Sequence, residues 1–362
     1  MEQSGPVTEW IVTTEAAQRL GVKRATLYTY VSRGLLTRRR EHGESLFVRD
    51  EIDALARDRR HPGAPSGVLP MRAVRSAVSE VREGELFLRG VPLADLADEP
   101  YDDVVDLVLG PGPAARVAVP AHLAHLPLHR RLPALAQWSG ALAPAGTGPA
   151  AAARGLVAAA PTALGGGCGP APVPEALFAA LAGHPGSAAE VATVNTALVA
   201  LVDHGLAASV VAARVAASAR ASAYDCLVAG FATLSGRLHG GIVPEAVAVL
   251  RGAEDLAPGE PRAGFGHWRH PFGDPRAEAV LARLALVEAA RPVIDRLEDL
   301  AARLERRPNI DGALAALVVA CGLPDEAGEV CFQVGRAVGL SAHVAEEGDE
   351  DPLRWRAKDP DA

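Results

Sequence analysis

Beyond residue 176 the chain is written largely in Ala, Leu and Val at helical spacing, and no other feature limits the fold as strongly. Five stretches, 176–202, 206–235, 243–252, 277–306 and 312–320, carry apolar residues at the three- and four-residue intervals that place them on one helix face. Pro292 is expected to kink or divide the fourth, and Gly322 followed by Pro324 to stop the fifth. Aromatic residues are only 4% of the chain, so small aliphatic side chains must fill the core, which favours packed helices over sheets. A length of 362 residues supplies two or three structural units. The stretch 139–175, dense in Ala, Gly and Pro and reading GGGCGPAPVP at 165–174, predicts a loop between helices.

Charge divides the chain. Residues 1–62 carry 11 basic and 9 acidic residues, whereas the whole chain has a net charge of −8. That balance excludes a wholly basic nucleic-acid coat but leaves room for a local basic module. The expected organisation is an amino-terminal module over 1–60, a Pro/Gly/Ser linker over 61–70 and a main body over 71–362. Cys168, Cys226, Cys321 and Cys331 form no C-x-x-C pair and have no His at finger spacing. This argues for buried thiols in a reducing compartment and against a disulfide framework or structural zinc. Residues 1–12 lack the pattern of a signal peptide, and no run of about 18 apolar residues occurs. A cytoplasmic protein without a membrane partner is expected.

In the amino-terminal module, Thr14 is expected to cap a helix whose Ala17 and Leu20 face inward, and Gly21 to supply a tight turn. Val22 buries after the turn. Lys23, Arg24 and Thr26 open a second helix with Leu27 and Val31 as its apolar face, ended by Arg33 and Gly34. The following segment predicts a two-stranded wing turning at His42 and Gly43, then a short helix. Over about 50 residues this unit resembles the MerR/excisionase type of winged helix–turn–helix. The resemblance implies groove contacts from Lys23, Arg24, Thr26 and Tyr28, and phosphate contacts from Arg38, Arg39 and Arg40. Residues 14–49 hold 8 basic against 3 acidic residues. The alternative is a small helical module with solvated charges, used for dimer contact.

The chemistry-bearing residues lie after position 200. His204 stands in DHGLAAS, His239 in SGRLHGGIVPEA, His267 and Arg276 in GFGHWRHPFGDPRA, Asp311 in RRPNIDGAL, Arg336 in GRAVGLSAHVAEE, and Arg354 and Arg356 in PLRWRA. A Gly pair beside a His lets a ligand approach the backbone. Imidazole can give or share a proton at neutral pH, a carboxylate can abstract an acidic carbon proton, and arginines clamp carboxylates at two points. The combination suits enolate chemistry on a dicarboxylate partner.

In this order, LHGG, GFGH…DPRA, PNID and GRAVG-x-x-AH resemble the citrate synthase family over roughly 71–362. The resemblance implies a mainly α, two-domain body with a small domain at about 240–318, and a homodimer acting in the tricarboxylic acid cycle. Asp311 would be the base on the methyl group of acetyl-coenzyme A, His239 would stabilise the enolate, and His267 would polarise the carbonyl of oxaloacetate. His204, Arg276 and Arg336 would hold the oxaloacetate carboxylates, joined by Arg354 reaching over from the other subunit, or by Arg356 if no gap is placed. No metal and no permanently bound cofactor is implied. The family also admits a 2-methylcitrate synthase using propionyl-coenzyme A, and a non-catalytic metabolite sensor is a further alternative. His270 and His343 read as structural. The sequence departs from the family pattern at Gly205 and Ala207, at Trp268 and at Ile242 to Pro244. The His239–His267 and His267–Asp311 intervals, 28 and 44 positions, are shorter than usual.

Overall fold

The computed structural model describes residues 10–32, 36–41, 44–49, 51–53, 74, 76–167, 169–252 and 263–355. The chain divides into two compact units, Met1–Arg75 and Ser76–Ala362. The linker expected at 61–70 lies outside the described residues.

The first unit runs β1 (Trp10–Val12), α1 (Thr13–Leu20), α2 (Arg24–Ser32), β2 (Arg38–Glu41) and β3 (Glu44–Val48). Its sheet is antiparallel in the order β1-β3-β2, with Trp10 opposite Val48, Arg38 opposite Phe47 and Glu41 opposite Glu44. His42 and Gly43, expected at the turn of the wing, lie outside the described residues, as do Arg33 and Gly34. Ile11, Ala16, Ala17, Leu20, Leu27, Leu36, Phe47 and Ile52 form the core, with Val22 and Val31 packed on its margin. The expected Thr14 cap is corrected: the cap position is Val12, two residues earlier, so α1 starts at Thr13 with no side-chain cap. The Thr14 hydroxyl instead accepts from Arg24 at 2.9 Å, and Thr13 donates to the Ser45 carbonyl at 3.0 Å, tying the helix to β3.

The second unit opens with a three-stranded antiparallel sheet, β4 (Ser79–Arg82), β5 (Glu85–Leu88) and β6 (Val91–Pro92). Thirteen helices follow among the described residues: α3 (Leu93–Leu96), α4 (Tyr101–Leu109), α5 (Leu128–Leu142), α6 (Pro149–Ala163), α7 (Val173–Ala182), α8 (Ala188–Leu201), α9 (Ala208–Ser218), α10 (Ala223–Leu234), α11 (Val243–Arg251), α12 (Pro275–Leu284), α13 (Arg291–Leu304), α14 (Ile310–Ala320) and α15 (Ala327–Gly348). Short 3₁₀ turns at Ala121–His125, Gly240–Ile242 and Glu288–Ala290 interrupt them. Among the described residues no helix is long and apolar enough to cross a membrane. Cys226, Cys321 and Cys331 are free thiols, and Cys168 lies outside the described residues.

Several expected helical stretches split where local chemistry demands it. The 176–202 stretch breaks at Gly183, and α8 restarts on a capping box in which Ser187 and Glu190 satisfy each other's backbone N–H groups. The 206–235 stretch breaks between α9 and α10, where the Ser222 hydroxyl accepts from Asp225 N. Pro292 falls in the first turn of α13, where a missing N–H costs nothing, so it divides the fourth stretch as expected. The loop expected over 139–175 is a correction. Its centre is the 15-residue helix α6, with Ala152, Ala153, Leu156, Val157 and Ala160 buried. Pro149 sits in the first turn and Pro161 in the last, so neither breaks the middle of the ladder.

The organising element is α15. Its 22 residues are buried almost throughout, and it packs against α4, α5, α6, α8, α9 and α10. Helices α11, α12 and α13 gather around α14 beside it. Where α15 crosses the end of α8, Gly339 faces the backbone so closely that a Cβ would run into the Val202 carbonyl oxygen. Gly339→Ala should therefore destabilise the protein by about 1–3 kcal/mol, read as a lower denaturation midpoint of the intact chain. A midpoint unchanged from wild type would contradict this crossing.

Candidate active site

Six of the seven carboxylate- and thioester-directed residues anticipated from the sequence come from separate elements. His204 follows α8, His239 precedes the 3₁₀ turn at Gly240–Ile242, His267 lies between α11 and α12, Arg276 is in the first turn of α12, Asp311 in that of α14, and Arg336 within α15. The His267 loop is sewn to the start of α14 by backbone and side-chain bonds. Gly266 N donates to Arg307 O at 2.7 Å, Asn309 N donates to Gly264 O at 3.0 Å, and Asn309 Nδ2 donates to Gly266 O at 3.0 Å. Asn309 also caps α14, its Oδ1 accepting from Asp311 N and Gly312 N. Asp311 is thereby released from the capping task that its position at a helix start suggests.

Asp274 and Arg276 form the joint of this region. The guanidinium grips the carboxylate through Nε (2.9 Å) and Nη2 (2.8 Å), and both residues are almost fully buried. Asp274 Oδ2 also accepts from Ile310 N at 3.1 Å, so one carboxylate caps α12, holds Arg276 and anchors α14. Arg276 is the common electrostatic neighbour of His204, His239, His267 and Asp311.

Three imidazoles cluster beside it. The His204–His267, His204–His270 and His267–His270 ring centroids are 5.1, 5.0 and 5.1 Å apart, and His204 Nε2 shares a proton with His270 Nε2 at 2.8 Å. His270, expected to be merely structural, is thus a direct partner of His204. Arg269 N–H donates to His267 Nδ1 at 3.1 Å, which leaves the His267 proton on Nε2. Burial, reinforced by the charge of Arg276, pushes His267 down to about 4. Burial likewise pushes His239 down to about 3, with Arg336 and Arg276 adding to it. His204 is driven down by burial and by the same two arginines. All three rings are therefore neutral hydrogen-bonding groups at pH 7.

His239 Nε2 lies 2.9 Å from Ser209 Oγ, and its ring meets Phe332 edge-on at 5.7 Å. Phe332 in turn lies 5.2 Å beneath the Arg336 guanidinium. Arg336 is fully buried, donates from Nε to Leu201 O at 3.0 Å, and has Asp203 Oδ1 3.7 Å from Nη1. That separation is beyond a hydrogen bond, and Nη1 has no hydrogen-bond partner. Asp203 is held by the Ser79 hydroxyl (2.5 Å), Gly205 N (3.1 Å) and His343 Nε2 (3.1 Å). Burial works against its charge, but the His343 ring, Arg336 and the Ser79 hydroxyl outweigh it and keep the carboxyl below the usual range. Asp311 goes the other way. Burial pushes its carboxyl up to about 7, with Arg276 pulling against the rise and Asp274 assisting it.

Arg354 is placed differently. Its Nε and Nη2 clasp Glu347 at 2.6 and 2.5 Å, at the far end of α15 from Arg336. Arg356 lies outside the described residues. Ser209, Asp274, Asp203 and His270 are the members that reading by motif passed over. Asp203 and Asp274 stood inside the quoted D-H and D-P-R-A segments, whereas the contacts of Ser209 and His270 span 30 and 66 positions. Asp274→Ala should cost about 3–5 kcal/mol of stability, because it strands the Arg276 charge in the interior. Denaturant titration measures this, and a loss near zero would show the joint to be dispensable.

Residues 170–358 match the family described as citrate synthase, C-terminal domain. Over 188 residues the chain is 33% identical to a citrate synthase of Haloferax volcanii, covering 46% of this chain and 49% of that one. It is 26% identical over 183 residues to a 2-methylcitrate synthase of Mycobacterium tuberculosis, covering 46% and 47%. The chain thus spans about half the length of these relatives. In structure it is similar to the citrate synthase of Thermoplasma acidophilum in ternary complex with carboxymethyl coenzyme A and oxaloacetate, with a TM-score of 0.67 over 80% of this chain and 93% of that one. At 20% identity that likeness shows the fold. The family match extends over more than half of the sequence, and the chain belongs to the citrate synthase family.

Proposed function

We propose that this chain condenses acetyl-coenzyme A with oxaloacetate, releasing citrate and free coenzyme A. The observation that carries the reading is Asp311, a buried carboxyl relieved of capping by Asn309 and poised near neutrality within the neighbourhood of Arg276. In this reading the Asp311 carboxylate takes a proton from the methyl carbon next to the thioester. Ser209 donates to His239 Nε2, leaving the Nδ1 proton of a neutral ring for the thioester oxygen as it becomes an enolate. His267 offers its Nε2 proton to the ketone oxygen of oxaloacetate. The enolate carbon attacks the ketone carbon, the new alkoxide takes a proton, and water then cleaves the thioester, so that the thiol leaves as coenzyme A. Arg336, with a buried donor to spare, and Arg276 face the oxoacid carboxylates together with His204. Arg354 is assigned to a partner subunit's site in a homodimer, and would have to leave Glu347 to reach it.

Asp311→Ala should abolish thiol release from acetyl-coenzyme A plus oxaloacetate. A carboxyl raised to about 7 is the active base only when deprotonated. The wild-type rate should therefore fall about tenfold per pH unit below that value and level off above it. Retained turnover in Asp311→Ala would remove the assignment. Propionyl-coenzyme A is the second thioester to assay, since a 2-methylcitrate synthase is among the relatives. Oxaloacetate binding without any thiol release would favour a metabolite sensor.

For the first unit we propose DNA contact. Two helices joined at Gly21, backed by a three-stranded sheet, support reading it as a winged helix–turn–helix. Lys23 and Arg24 are exposed at the start of α2, Thr26 is half-buried, and Tyr28 is exposed further along. On β2, Arg38 lies over the Tyr28 ring and Arg39 over the Trp10 ring, with Arg40 exposed beside them. A gel shift with genomic fragments should weaken as salt rises, and should weaken further when Arg38, Arg39 and Arg40 are replaced by Ala. No salt-sensitive shift with any fragment would dismiss the DNA role.

A further inference from the structure

A dicarboxylate oxoacid is held best by cations that keep hydrogen-bond donors free to receive it. The arginines of the site differ sharply in this respect. Arg276 has Nε and Nη2 occupied by Asp274, and Arg354 has the same two groups occupied by Glu347. Arg336 lies at ion-pair distance from Asp203, whose Oδ1 is 3.7 Å from Nη1, yet that nitrogen makes no hydrogen bond and remains a free donor in the interior. A fourth guanidinium, on Arg269, has no carboxylate within ion-pair distance among the described residues.

Arg269 is fixed from three sides. Its backbone N–H bonds His267 Nδ1 at 3.1 Å, and its guanidinium lies 4.9 Å over the Trp268 ring, which itself stacks on His267 at 6.2 Å and 15°. On the third side is Gly205, the residue directly after His204. Gly205 adopts φ +66°, and a Cβ built there would lie 2.9 Å from Arg269 Nη1. The guanidinium thus occupies the space that a side chain at 205 would claim, between the two loops that carry His204 and His267. It is half-buried, and burial weakens its hold on its proton, with the nearby positive charge of Arg276 adding to this and Asp203 opposing it. A cation so placed gains from an incoming anion.

We propose that Arg269, seated on Gly205, is a carboxylate clamp for the oxoacid substrate, working with Arg336 on the two carboxylates of one molecule. This deepens the proposed condensation and rests on it for the identity of the oxoacid. A dicarboxylate is favoured over a monocarboxylate oxoacid, because two separate donors await it.

Steady-state kinetics on Arg269→Leu, Arg269→Lys and Gly205→Ala, reading thiol release, test the assignment. Arg269→Leu should raise the oxaloacetate KM roughly ten- to a hundredfold, the effect of losing a charge-assisted bond. The acetyl-coenzyme A KM should stay within about twofold of wild type, as expected when only one substrate loses binding. Arg269→Lys should recover part of the loss, and Gly205→Ala should reproduce it by displacing the guanidinium. An unchanged oxaloacetate KM in Arg269→Leu, or both KM values rising together, overturns the clamp while leaving the condensation in place. If the wild type releases no thiol, calorimetric titration with oxaloacetate decides. Binding weakened in Arg269→Leu upholds the clamp and rejects the condensation, binding equal in wild type and variant overturns the clamp, and no binding to wild type overturns both.

Discussion

The buried pair of Asp274 and Arg276 is the constraint on which the rest of the site depends. Removing two ions from water is costly, and the attraction between them offsets that cost only when the geometry is good and the remaining polar groups are satisfied. Here the fork is bidentate, and the spare capacity of Asp274 is taken up by Arg276 N and Ile310 N. The pair therefore does more than neutralise itself. It fixes the start of α12 against the start of α14, and so sets the loop holding His267 relative to the helix holding Asp311. Asn309 adds a second stitch across the same seam through its bonds to Gly264 and Gly266.

From that joint follows an ordering of protonation states. Burial drives imidazoles and carboxyls alike towards their neutral forms, and the positive charge of Arg276 acts in opposite directions on the two types. For His204, His239 and His267 it adds to burial, so the rings remain uncharged donors and acceptors. For Asp311 it opposes burial and holds the carboxyl near neutrality instead of higher. One cation thus helps to give an uncharged donor set together with a carboxyl that can both lose and regain a proton at pH 7. On the other wall, Arg336 is held by α15. The same helix carries His343 and Glu347, which bond Asp203 and Arg214 from neighbouring elements. A helix pinned by such a network gives Arg336 little freedom to move.

The order of the motifs, the helical character of the body and the division by Pro292 were legible from the sequence because each depends on spacing or on one residue's backbone chemistry. The interior of 139–175 was not. Its Gly and Pro content argues for a loop, but the prolines fall in the first and last turns of α6, and the Ala-rich middle packs on α15. Thr14 illustrates the same limit on a smaller scale, since a hydroxyl at a helix start can cap its own helix or serve another residue, and Arg24 claims it. His270 was passed over for a related reason. Nothing three residues after His267 announces a bond to a ring 66 positions earlier, and only the fold of the turn supplies it.

Two departures from the family pattern, which appear unrelated along the chain, become one change in space. At one of them Gly205 follows the D-H pair. At the other Trp268 follows the G-F-G-H motif, with Arg269 next. The missing side chain at 205 opens the volume into which Arg269 Nη1 projects, and Trp268 supplies the aromatic face that keeps the guanidinium there. Restoring a side chain at 205 alone would collide with Arg269, and replacing Arg269 alone would leave an unfilled space beside His204. Among the described residues that guanidinium has no carboxylate within ion-pair distance, so it presents its positive charge beside the very imidazole that Arg269 N–H holds in its Nε2-protonated form.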